Sequence, residues 1–129
     1  MDVLNIEVLK GKTIERIQEL KIGSGWVYIY CTDGNQYVMS NQYYGSDVVY
    51  VKGWYVKEGS TGEILDILNK PIIEATEKVE IWHQNPDDFF DMITWTIFTI
   101  ETDDGILTIR WYARPTRLHP AKVDFKKIN

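Results

Sequence analysis

The sequence predicts an α+β fold: a mostly antiparallel, curled β-sheet built from hairpins and packed on one short helix. Apolar and polar residues alternate along most of the chain, as they do in half-buried strands. Two Asp-Gly pairs, Asp33-Gly34 and Asp104-Gly105, sit between alternating runs and signal hairpins. One segment, 63–68, has helical spacing behind a capping residue. A chain of 129 residues is expected to form a single domain, 1–129, with its own core and no linker.

Leu4, Ile6 and Val8 alternate with Asn5 and Glu7, which predicts a first strand closed by Lys10-Gly11-Lys12. Residues 13–22 allow a helix through Ile14, Ile17 and Leu20, or a bent strand. A strand is expected, because Gly11 and Gly23 bracket the segment closely and no cap precedes it. The first hairpin runs through Trp26–Cys31 and 36–40, the second through 94–102 and 106–112. With each Asp-Gly pair at the two central turn positions, Ile29 faces Val38 and Tyr30 faces Tyr37 in the first. In the second, Phe98 faces Trp111 and Ile100 faces Ile109 on a dry side. Thr99 then faces Arg110, Ile97 Tyr112, Trp95 Arg114 and Glu101 Thr108 on a mixed side.

Residues 43–62 read as an aromatic loop (Tyr43, Tyr44) and a short strand ending at Trp54-Tyr55-Val56. Ser60 or Thr61 caps the expected helix at 63–68, with Ile64, Leu65 and Leu68 inward, stopped by Asn69-Lys70-Pro71. A long strand is expected over 72–82, with Ile73, Ala75, Val79 and Ile81 as its apolar positions. Residues 83–91 read as a loop, and 123–128 as a closing strand.

Composition narrows the function classes. The net charge of −5 argues against a groove for long nucleic acid, which needs clustered cations. The carboxyl end is locally basic through Arg110, Arg114, Arg117, Lys122, Lys126 and Lys127. That suits a small anion or a protected strand edge. Cys31 is the only cysteine, so no internal disulfide forms. Without an apolar span or leader, a cytoplasmic protein with no membrane partner is expected.

Catalytic chemistry finds little support. Cys31 lies within an apolar strand, no Gly-x-Ser-x-Gly elbow exists, and Gly23-Ser24-Gly25 precedes a strand rather than a helix. His83 with Asp87, Asp88 or Asp91 offers a metal-dependent hydrolase as the third reading, although Asn-Pro-Asp-Asp is also turn chemistry. No catalytic residue, metal or cofactor is expected. Recognition is better equipped. Trp95, Arg110, Tyr112 and Arg114 share the mixed side of the second hairpin, and His83, Asn85, Phe89 and Phe90 lie in the loop leading into it. Rings and guanidinium planes stack on bases, and Arg forks grip phosphate. The same residues would also serve as a cross-strand cation–π pair on an exposed sheet, or as an interface in a homo-oligomer.

Thr94-Trp95-Thr96-Ile97-Phe98, Thr108-Ile109-Arg110-Trp111-Tyr112 and Val123-Asp124-Phe125 resemble a family of small uncharacterised phage and bacterial domains. The likeness extends to Gly11-Lys12-Thr13-Ile14, Asp33-Gly34, Tyr37, Met39 and Pro71-Ile72-Ile73-Glu74-Ala75. The family's His-x-Gln-Asp-Cys-Cys-Glu-x-Val run is replaced here at 40–48, where only Gln42 and Val48 match. Its Ser-Asn-Gly-Tyr-Tyr-Ser-Glu run is replaced at 115–121, so thiol or metal chemistry does not carry over. The resemblance implies a phage or prophage origin, and so the host cytoplasm. Phage proteins of this size often counter host immunity, and those that sequester cyclic ADP-ribose signals use aromatic and Arg pockets. The resemblance itself implies no activity; the Arg and aromatic residues that share one face lead to the expected function, a non-enzymatic, phage-type binding protein that sequesters a small, nucleotide-like anionic ligand. The alternative is a protein–protein inhibitor of a host protein, or a structural accessory protein, working through residues 43–54.

Overall fold

A computed structural model of the chain describes residues 3–41, 48–59, 61–83, 85–88, 91–115 and 121–129. Its strands are β1 (Val3–Leu4), β2 (Ile14–Gln18), β3 (Trp26–Cys31), β4 (Gln36–Asn41), β5 (Val48–Lys57), β6 (Glu74–His83), β7 (Met92–Thr102), β8 (Gly105–Arg114) and β9 (Val123–Lys127). They form two antiparallel sheets, one ordered β1-β9-β4-β3-β2 and the other β5-β8-β7-β6. The architecture is all-β, which corrects the expected α+β class and the single curled sheet around a helix.

The helix fails for a local reason. Gly62 at φ +66° and Asn69 at φ +61° close off 63–68, leaving too few residues to offset the cost of helix nucleation. Ile64–Asp66 instead closes as one 3-10 turn. The buried Asp66 carboxylate accepts hydrogen bonds from Thr61 Oγ1 (2.9 Å), Thr61 N (3.2 Å) and Glu63 N (3.2 Å). Thr102 Oγ1 donates to the Asp66 carbonyl at 2.7 Å and ties this turn to the end of β7. Leu65, expected inward, is exposed, and Ile67 is buried in its place. A further 3-10 turn, Ile6–Leu9, replaces most of the expected first strand, with Asn5 Oδ1 accepting from Glu7 N.

Both hairpins form, each with a register different from the expected one. In the first, Gly34 N donates to the Cys31 carbonyl, Gly34 alone takes a positive φ of +87°, and Cys31 N donates to the Asn35 carbonyl. This is a three-residue loop with the glycine as a bulge, so Ile29 faces Tyr37 rather than Val38. In the second, Thr102 pairs with Gly105 across Asp103-Asp104, neither of which has a positive φ. Gly105 sits one place beyond the expected central position. An added Cβ there would lie 3.1 Å from Val56 Cγ1 and 3.3 Å from the Lys57 carbonyl oxygen, so close packing against β5 also favours glycine.

One apolar cluster joins the inner faces of the two sheets. It includes Val27, Ile29, Met39 and Phe125 from the first, and Val51, Phe98, Ile109 and Trp111 from the second. β5 is longer than the expected short strand, and β6 begins at Glu74, with Val79 and Ile81 exposed rather than in the core.

Candidate binding face

Along β7 the even positions Met92 to Thr102 are buried, while Ile93, Trp95, Ile97, Thr99 and Glu101 are half-buried on the other side. The antiparallel pairing brings Ile106, Thr108, Arg110, Tyr112 and Arg114 of β8 to that same outer side. The two-residue shift in register leaves each residue on its expected face, because side chains alternate with period two. It changes their partners: Tyr112 stands opposite Trp95, and Arg110 opposite Ile97.

Arg110 is thus diagonal to Trp95, within reach of a long side chain. Its guanidinium lies 4.9 Å from the Trp95 ring centroid. Trp95 meets Tyr112 edge-on, with centroids 5.5 Å apart and planes at 76°. The neighbouring strands extend the row. β5 places Tyr50 opposite Tyr112, with ring centroids 5.1 Å apart, and β6 brings Trp82 edge-on to Trp95 at 6.3 Å. Trp82, Trp95, Tyr112 and Tyr50 therefore cross all four strands as one aromatic ladder.

The charge on this face is local. Arg110 is exposed and has no carboxylate partner among the described residues. Arg114, also exposed, follows Tyr112 by two positions, so the two guanidinium-bearing residues bracket that ring at about 7 Å each along the strand. Lys78 and Glu80 neutralise one another at 2.9 Å beside the ladder. Trp95 Nε1 is buried with no acceptor among the described residues, an uncommon state for a buried donor.

Of the eight expected ligand-binding residues, Trp95, Arg110, Tyr112 and Arg114 share this face. His83 ends β6 rather than lying in a loop. It pairs with the inward Met92 and therefore belongs to the opposite side of the sheet. Asn85 shapes a turn, its Oδ1 accepting from Asp87 N at 3.1 Å and its carbonyl from Asp88 N at 3.0 Å. Phe89 and Phe90 lie outside the described residues, as do Tyr43 and Tyr44 of the expected aromatic loop. Trp82 and Tyr50 were not anticipated, because only the pairing of β6 and β5 with the central hairpin brings them into the row.

Other chemistry is sparse. Among the described residues no three His, Cys, Asp or Glu side chains gather as a metal site, so His83, Asp87 and Asp88 do not form one. Cys31 is buried, and desolvation, with a smaller contribution from Asp33, pushes its thiol up to about 11. A thiol held protonated in this way is a poor nucleophile.

A family described as a domain of unknown function (DUF7448) matches residues 7–116, and the chain belongs to it. The match takes in the whole second sheet and stops before β9. No curated protein and no solved structure matches the chain.

Proposed function

We propose that the outer face of the second sheet binds a small, planar, anionic ligand of nucleotide type, and that the protein acts by holding this ligand rather than converting it. The observation that carries the reading is the Arg110 guanidinium over Trp95, joined edge-on to Tyr112. Aromatic side chains on an antiparallel sheet stack bases, each stack contributing about 1–3 kcal/mol, and flanking Arg side chains supply charge for phosphate. An acidic chain with two Arg side chains bracketing the Tyr112 ring favours a single nucleotide over a long polyanion. The resemblance to small phage domains makes sequestration of a host signalling nucleotide, in the host cytoplasm, the biological form of this reading.

Isothermal calorimetry against cyclic nucleotides and ADP-ribose derivatives tests it. A saturable heat with one of them, lost in both Arg110→Ala and Tyr112→Ala, is expected, and flat traces across the panel would end the proposal. An inhibitor of a host protein remains the second reading, favoured by the exposure of Trp82 and Tyr55 on the same face. It predicts that a host polypeptide, rather than a heat-released small molecule, accompanies the purified protein.

A further inference from the structure

Two sheets have four edges, and three of them are blunted. β1 has two residues, β2 has five and a register irregularity between Ile14 and Arg16, and β5 is bulged between Val51 and Gly53. Short edges and bulges are two of the usual defences against strand addition. β6 is neither short nor bulged, and the Ile6–Leu9 turn that packs against it meets its first residue, where Lys10 pairs with Glu74 at 2.9 Å. The strand runs for ten residues, contains no proline, and pairs with β7 without a break from Glu74↔Glu101 to His83↔Met92. Among the described residues no strand pairs with its other side. Val79 and Ile81 are 52% and 55% exposed on the inner side of this strand and Trp82 is 58% exposed on the outer side, so apolar side chains flank the free backbone edge on both faces.

We propose that β6 pairs antiparallel with β6 of a second copy of this chain, making a continuous eight-stranded sheet. The choice of a second copy rests on charge. With the two-fold axis at Val79, each Lys78 stands opposite the other copy's Glu80, Val79 opposite its own equivalent, and Glu77 opposite Ile81. Moving the axis to Glu80 would set two carboxylates against each other, and moving it to Ile81 would separate Lys78 from Glu80. Like charges directly opposite each other disfavour pairing. An axis at Thr76 would also match charges, Lys78 with Glu74, but would pair only residues 74–78, so Val79 is the centre that matches charge over most of the strand. Lys78 and Glu80 already lie on one side of the strand, 2.9 Å apart, and can exchange partners across the axis. The aromatic faces of the two copies would then lie on the same side of the joined sheet.

Sedimentation equilibrium on the ligand-free full chain tests the pairing independently of the ligand site. A concentration-dependent dimer is expected. Lys78→Glu and Glu80→Lys are each expected to weaken it about tenfold, and the double exchange to restore it, since the pairs are then merely reversed. Val79→Cys is expected to give a disulfide-linked dimer on mild oxidation, because position 79 meets itself. Monomers throughout the micromolar range, or a dimer indifferent to both charge reversals, would overturn the proposal.

Discussion

Arg110 and Trp95 touch across the diagonal of the β7–β8 pair, and that contact has a measurable free energy. An exposed cation–π pair of this kind contributes about 0.5–1 kcal/mol. Arg110→Ala removes only that contact and some stem packing, so about 1 kcal/mol is expected. Trp95→Ala removes more, because the indole also meets Tyr112 and Trp82 edge-on. A fully buried Trp truncated to Ala costs about 3–5 kcal/mol, and half-burial brings the expectation to about 2–3 kcal/mol. The double variant is expected to lose less than the sum, by about 0.5–1 kcal/mol. Urea unfolding followed by far-ultraviolet circular dichroism measures all four proteins without relying on tryptophan emission. With a slope of about 1–3 kcal/mol/M, that coupling displaces the midpoint by a few tenths molar. Additivity within about 0.3 kcal/mol would mean that the guanidinium does not rest on the ring, and the proposed face would lose its cation.

Three further outcomes follow from the packing. Gly105→Ala places a Cβ against Val56, Asp66 and the Lys57 carbonyl, all within 3.1–3.3 Å, and is expected to destabilise by about 1–2 kcal/mol in thermal unfolding. Desolvation, and then Asp124, raise the Glu77 carboxyl above its ordinary value. Its share of stability is fully present below the unfolded value and is lost as pH rises through the higher folded one, so Glu77→Gln is expected to raise the melting temperature at pH 7 and not at pH 4. Cys31 is expected to resist iodoacetamide at pH 8 in the native state and to react on unfolding, as quantified by mass spectrometry.

The period-two pattern made the strands legible, and it assigned Phe98, Ile100, Ile109 and Trp111 to the core and Trp95, Arg110, Tyr112 and Arg114 to the other side. Register was less accessible. Asp-Gly fits both a two-residue primed turn and a type I turn with glycine just beyond it, and only packing against β5 distinguishes them at Gly105. The segment 63–68 carries a helical pattern, but its outcome depends on the positive φ of Gly62 and Asn69, which spacing alone does not reveal. Trp82 and Tyr50 escaped because they join the ladder through strands distant in sequence. Val79 and Ile81 look like core in one dimension, yet they lie on the edge strand β6 and are more than half exposed.

The proposed face is tested most directly by following tryptophan indole N–H resonances while nucleotides are added to isotope-labelled protein. Trp95 and Trp82 lie in the ladder, and Trp111 is fully buried on the inner side. The account predicts that one member of the panel shifts the Trp95 and Trp82 indole signals in a saturable manner and leaves Trp111 in place. Saturable binding that moves Trp111 while Trp95 stays still, or no movement of Trp95 at millimolar nucleotide, would contradict it.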